Sequence, residues 1–295
     1  MKAETQKTEG VNYLSAPLNW YPGHMTKARR AMEEDLKLVD MILEIRDARI
    51  PSSSLNPDIT ELGKNKRRII LLNKADLADE AQTAQWMEAL TRQNVTAAAA
   101  DSRSQAGVRA VRRLLEQVSE EKAKKDRARG IVSRPARVMV VGIPNVGKST
   151  LINSLAGRAS AKTGDKPGVT RGNQWIRLGK GLELLDTPGI LWPRFEDREV
   201  GIHLALIGSI SDDVLPVEDL AAEGLTLLKE RYPKALADKY GELPDDPYAA
   251  LEAIADKNKL LKKGGEKDTE KAAARFLDDL RKGRLGRLTL ENAAG

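Results

Sequence analysis

Residues 136 to 157 read ARVMVVGIPNVGKSTLINSLAG. An apolar, β-branched run ends in a glycine, and an apolar stretch with helical spacing follows a Gly-Lys-Ser-Thr string. Gly142, Gly147, Lys148 and Ser149 match the pattern G-x-x-x-x-G-K-[ST], and they sit between a predicted strand and a predicted helix, the context that pattern requires. The glycines let successive backbone N–H groups curl around phosphate oxygens, and the N-terminus of the following helix adds a favourable dipole. Lys148 is placed for the terminal phosphates, and the Ser149 hydroxyl for Mg²⁺. The expected phosphate contacts run through Asn145, Val146, Gly147, Lys148, Ser149 and Thr150. The implied ligand is a nucleoside triphosphate.

Downstream, LELLDTPGI at 182 to 190 puts Asp186 at the end of a predicted strand and Gly189 in the loop after it. Alone, Asp-x-Pro-Gly is ordinary turn chemistry. After a phosphate loop it suits a carboxylate linked to Mg²⁺, directly or through water, and a glycine N–H facing the γ-phosphate. Thr170, in KPGVTRG between the two motifs, is placed to complete the Mg²⁺ shell. Upstream, RRIILL at 67 to 72 runs into Asn73-Lys74-Ala75-Asp76. The Asp76 carboxylate can accept from the N1–H and 2-amino group of guanine, the Asn73 amide can bond N7, and the Lys74 stem can cover the ring. Adenine leaves that carboxylate unpaired, so GTP is expected over ATP. A second base contact is expected from the Asp101 and Ser102 backbone in AAAADSR at 97 to 103.

The base reader thus precedes the phosphate loop, the reverse of the usual order. The order base reader, phosphate loop, mobile threonine, DTPG resembles that of the circularly permuted GTPases. NWYPGHMTKARR at 19 to 30 resembles the signature of the YlqF/RbgA ribosome biogenesis GTPases, and the resemblance runs on to GRLGRLTLE near the end. It implies GTP hydrolysis by an assembly factor that binds an immature large ribosomal subunit and its rRNA in the GTP state and leaves on hydrolysis. It also implies that His24, in PGHM, orients water once a partner orders the N-terminal segment, and that Asn145 helps bind K⁺. A histidine that packs at a helix start or binds phosphate is the other reading of His24. Ile190 stands where small GTPases carry a water-orienting glutamine and can neither donate nor accept a hydrogen bond, so hydrolysis by the protein alone should be slow. Ile190 also keeps open a different class, an RNA-binding scaffold whose nucleotide turnover is incidental.

Around these motifs, predicted strands and helices alternate from residue 24 to about 187, the pattern of a mostly parallel sheet with helices on both faces. From about 197 the strand signals stop, and helices punctuated by YP, GELPDDP and KKGGEKD follow. The expected division is a flexible segment at 1 to 18, a permuted α/β GTPase domain at 19 to 197, and an all-α, RNA-facing domain at 198 to 295. The net charge of +6 and basic stretches at 27 to 30, 122 to 137 and 257 to 287 suit a polyanion, though solvated helix faces explain such stretches too. DNA is not an expected partner. No apolar run approaches the roughly 18 residues of a membrane span, and the first residues resemble neither a secretory signal nor a presequence, so a cytoplasmic protein is expected. With no cysteine, disulfides and Cys-ligated zinc are excluded.

Overall fold

The computed structural model describes residues 25–131, 134–157, 174–179, 181–189, 191, 197–210 and 216–293. The expectations placed on residues 1 to 18, His24, Thr170 and Ile190 lie outside them.

The α/β part runs α1 (Met25–Leu38), β1 (Met41–Asp47), α2 (Pro57–Leu62), β2 (Arg67–Asn73), α3 (Glu80–Arg92), β3 (Thr96–Ala100), α4 (Gln105–Ala128), β4 (Ala136–Gly142), α5 (Lys148–Ala156), β5 (Gln174–Leu178) and β6 (Leu182–Asp186). The strands form one sheet in the order β3-β2-β1-β4-β6-β5, parallel except for β5, which pairs antiparallel with β6. The chain starts at β1 and winds outward through β2 to β3. It then returns along α4 to lay β4 against the other side of β1. The order of winding reverses between β1 and β4, the kind of crevice in which open α/β sheets bind ligands.

Period-two alternation puts Ile42, Met139, Val141 and Leu185 on one face, under Met32 and Leu36 of α1 and Ile59 of α2. Ile70 and Leu72 continue that face under Leu90 of α3. Met41, Leu43, Val138 and Val140 face the other way, toward Val111 and Leu115 of α4 and Leu151 and Leu155 of α5. Every residue of β1 is buried. Its charged positions are tolerated because they pair: Glu44 accepts from Arg46 Nε at 2.9 Å and from Arg68.

Register then brings the motifs together. Asp47 pairs with Asn73 and Asn73 with Ala100, while Ile45 pairs with Gly142 and Val140 with Asp186. Base reader, phosphate loop and DTPG therefore leave the sheet from one edge.

The helices after the sheet are α6 (Arg198–Leu206), α7 (Val217–Arg231), α8 (Pro233–Tyr240), α9 (Pro247–Lys257) and α10 (Thr269–Arg281). Proline opens α8 and α9, where its missing N–H has no intrahelical partner to lose. α7 crosses α6 and α10 at Gly224, where a Cβ would come within 2.8 Å of Leu206 Cδ2 and 2.9 Å of Phe276 Cε1. One apolar cluster runs without a break from the sheet into these helices. Residues 283–291 then leave the helical layer and lie against the ends of β1 and β2, with Leu285, Leu288 and Leu290 buried.

Candidate nucleotide site

At the phosphate end, β4 stops at Gly142, whose φ of 153° and the 2.4 Å from its Cβ position to the Ile45 carbonyl admit no side chain. Gly147, at φ 98°, starts α5, so Lys148, Ser149 and Thr150 form the first turn, where backbone N–H groups have no acceptor within the helix. Lys148 is 6% exposed, and its Nζ donates to the carbonyls of Gly142 at 3.1 Å and Ile143 at 2.8 Å. A Cβ on Gly189 would lie 2.8 Å from that Nζ and 2.9 Å from Pro144 Cα, so the DTPG loop rests directly on the phosphate loop.

Asp186, 1% exposed, has no hydrogen-bond partner among the described residues on either carboxylate oxygen. Burial pushes its pKa up to about 6, with Lys148 opposing the shift. Burial in turn lowers Lys148 to about 8, against the pull of Asp186, and the nearby Lys74 adds to the lowering. A buried carboxylate with open lone pairs beside a buried ammonium fits a hydrated Mg²⁺ and a polyphosphate.

The base-reading end is knitted to the phosphate end through Asn73. Its Nδ2 donates to the Val146 carbonyl at 2.7 Å, and its Oδ1 accepts from Ser102 N at 3.1 Å and Ser102 Oγ at 2.5 Å. A Cβ on Gly147 would sit 2.4 Å from Asn73 Nδ2, so the two motifs touch. The N7 contact expected of Asn73 has one N–H left to make it. Ser102, 2% exposed, spends both its amide and its hydroxyl on Asn73 instead of facing outward. Ala75 hangs from the Ala100 carbonyl by its N–H, at 3.2 Å. Asp76 Oδ2 accepts from Arg103 at 2.5 Å, while its Oδ1 is buried without a partner. Arg103 is itself braced by Asp101, whose Oδ1 accepts from its backbone N at 2.8 Å.

Sequence reading missed the acid behind Lys74. The Lys74 Nζ lies 3.0 Å from Asp47 Oδ2, and Asp47 also takes two side-chain hydrogen bonds from Arg49, at 2.9 and 2.8 Å. Burial alone would raise the Asp47 carboxyl, but Arg49 and Lys74 outweigh it and hold it well below the usual carboxylate range. The available signal was the string RDAR at the end of a buried strand, where charges need partners. Also unforeseen, the phosphate loop is held from the helical side. Asn145, at φ 58°, donates from Nδ2 to the Gly208 carbonyl at 2.7 Å, and Ser209 Oγ donates to the Pro144 carbonyl at 2.9 Å.

The family profile described as 50S ribosome-binding GTPase matches residues 137–242, from β4 to the end of α8. Ribosome biogenesis GTPase A of Bacillus pumilus is 44% identical over 276 residues, covering 93% of this chain and 98% of its own. The protein of that name from Thermotoga maritima is 36% identical over 276 residues, covering 93% and 94%. Among solved structures, GDP-bound TM YlqF superposes with a TM-score of 0.69 at 29% identity, covering 89% of this chain and 99% of its own. Similarity at this level over 93% of the chain, on a sheet wound in the permuted order with its NKAD and phosphate-loop motifs in contact, places the chain in the ribosome biogenesis GTPase A family.

Proposed function

We propose that this GTPase acts in maturation of the large ribosomal subunit, binding the pre-subunit and its rRNA in the GTP state and leaving when GTP is hydrolysed. The observation that carries the site assignment is that three of the six buried side-chain polar atoms without a partner among the described residues fall at that site. Asp186 Oδ1 and Oδ2, and Asp76 Oδ1, are buried without hydrogen bonds, at the two ends where a hydrated metal–triphosphate and a guanine edge belong. Asp76 reads the base, Asn73 and Lys74 frame it, and the amides of residues 145–150 with Lys148 hold the phosphates. Gly189 lets the DTPG backbone approach the γ-phosphate. Ser149, Thr170 and Asp186, directly or through water, would hold Mg²⁺, which would supply positive charge to the phosphate oxygens. Lys148 trades its two loop carbonyls for phosphate, an exchange of neutral for charge-assisted bonds.

Turnover by the protein alone is slow, because Ile190 cannot orient water; on the large subunit His24 takes that role. Asn145, whose Nδ2 donates to the Gly208 carbonyl, would help hold K⁺, which would supply positive charge beside the phosphates. Among the described residues no helix is long and apolar enough to cross a membrane.

The test is GTP hydrolysis by the full chain with and without purified large-subunit precursors, in K⁺ and in Na⁺. Stimulation by precursors, and a higher rate in K⁺, is expected. No stimulation in either salt sinks the catalytic reading. Assembly that survives both Lys148→Ala and His24→Ala supports the scaffold instead.

A further inference from the structure

The loop that carries Asp76 is unusual in what holds it. Lys74 enters it in the left-handed region, at φ 59°, a conformation that strains a non-glycine residue. The loop between β2 and α3 must therefore be fixed by its surroundings. Those surroundings come from the far end of the chain. Gly283, at φ 69°, turns the backbone out of α10 so closely that a Cβ would meet Leu77 Cδ2 at 2.6 Å. Leu288 N then donates to the Leu77 carbonyl at 2.9 Å, and Thr289 Oγ1 accepts from Asp79 N at 3.1 Å. Leu290 N donates to the Arg49 carbonyl at 2.8 Å, which ties the same strap to the arginine that clamps Asp47.

Arg287 stands at the centre of the strap. Its Nε donates to the Ala78 carbonyl at 2.8 Å and its Nη2 to the Ala75 carbonyl at 3.2 Å, while Nη1 reaches Glu80 at 3.0 Å. The planar guanidinium thus spans the carbonyl one residue before Asp76 and the carbonyl two residues after it. A rigid fork fixes the spacing of two acceptors in a way that an ammonium cannot.

We infer that Arg287 is a positioning residue for guanine recognition: from the C-terminal strap it sets the backbone that aims the Asp76 carboxylate at the base. Its role rests on the assignment of Asp76 as the partner of guanine. Guanine presents two donors to that carboxylate, N1–H and the 2-amino group, whereas hypoxanthine presents N1–H alone. A carboxylate that is tilted or loose loses the two-point contact before the one-point contact. The preference for guanine over hypoxanthine is therefore the quantity that Arg287 controls. The strap also makes base recognition a property shared by the sheet and the C-terminal part of the chain.

The experiment is calorimetric binding of GDP and IDP, with Mg²⁺, to the full-length protein and to Arg287→Ala, Arg287→Lys and Asp76→Asn. The Arg287 side chain is 47% exposed, so its removal leaves no buried void. Arg287→Ala is expected to weaken GDP about 10-fold and IDP by less, the scale of two lost hydrogen bonds, so that the GDP/IDP ratio narrows several-fold. Arg287→Lys should fall between wild type and alanine, and it decides the matter if the alanine variant does not fold. A lowered unfolding temperature with an unchanged GDP/IDP ratio in the variants overturns the inference and leaves Arg287 a merely structural tie. Asp76→Asn separates the two levels: if it leaves the GDP/IDP ratio intact, the base-reading assignment itself fails. If it abolishes the ratio while both Arg287 variants retain it, only the positioning role fails.

Discussion

Asp47 and Asp186 each close a strand at the same edge of the sheet, each is almost fully buried, and their carboxyls are driven in opposite directions. Asp47 ends β1 at the base-reading end, where Arg49 and Lys74 satisfy it and keep it ionised. Asp186 ends β6 at the phosphate end, where no group among the described residues hydrogen-bonds to it and burial raises it to about 6. Equal burial with unequal pairing shows how the cradle divides its work. Under the proposed assignment the base end is largely built in advance, with Asp76 Oδ1 left open for the ligand, while at the phosphate end both carboxylate oxygens of Asp186 are left open. Polar groups kept buried and unpaired cost stability and are expected where function needs them.

The comparison breaks most sharply at Lys148. Its ammonium is the buried cation of the phosphate end, and its loss removes charge stabilisation from the transferring phosphoryl group. Lys148→Ala should lower the GTPase rate by about 10³-fold, roughly 4 kcal/mol of barrier, with little loss of fold. Single-turnover kinetics, together with a urea unfolding curve, check both halves. A rate near wild type would mean that the lysine serves the loop carbonyls of Gly142 and Ile143 instead of phosphate.

At the other end the balance should invert. Asp47→Ala leaves the Arg49 guanidinium buried and turns Lys74 loose, so the expected cost is about 3 kcal/mol of unfolding free energy, the scale of breaking one side of a buried ion pair. GDP affinity should fall as well, since Lys74 loses the anchor that holds it beside the base. Asp47→Asn, which retains the shape and one acceptor, should cost less in both measurements. A loss confined to binding, with stability unchanged, would show the base end to be no more prebuilt than the phosphate end.

These two ends also differ in how far the sequence revealed them. Gly142, Gly147, Lys148 and Asp186 were legible because phosphate binding demands particular residue types at fixed spacing after a strand, and the register of β4 with β6 then brings them together. The alternation of strands and helices was legible for a similar reason: apolar period shows directly in a single sequence. The base end was legible only in NKAD itself. Asp47, Arg103 and Arg287 hold it, yet they come from the end of β1, the turn after β3 and the far C-terminus, and local spacing carries no record of such contacts. The division at 197/198 marks where helices begin, but a local pattern has no means of announcing that residues 283–291 return to the sheet edge.

The gentlest test of the comparison is pH. In the nucleotide-free protein, without divalent metal, the folded Asp186 carboxyl titrates near 6, above its unfolded value of 3.8. Between those values the folded state keeps a proton that the unfolded state releases, so stability falls as pH rises through that window and the full penalty stands above it. Asp47 has the opposite sign: its folded carboxyl lies below its unfolded value, so its contribution is complete above about 3.8 and is lost only as pH falls further. Asp186→Asn should therefore raise the unfolding free energy of the bare protein at pH 7 by about 1 kcal/mol. The gain stays small because a buried amide also lacks partners there. The wild-type minus variant difference should shrink as pH falls from about 6 toward 3.8, and it vanishes only below that value, where Asp186 is protonated in both states. Adding GDP and Mg²⁺ should reverse the order, stabilising wild type more than the variant, because only the carboxylate has the charge to answer a hydrated cation. If Asp186→Asn were instead destabilising in the bare protein at pH 7, Asp186 would be a structural acid like Asp47, and the phosphate end would not be waiting for its ligand.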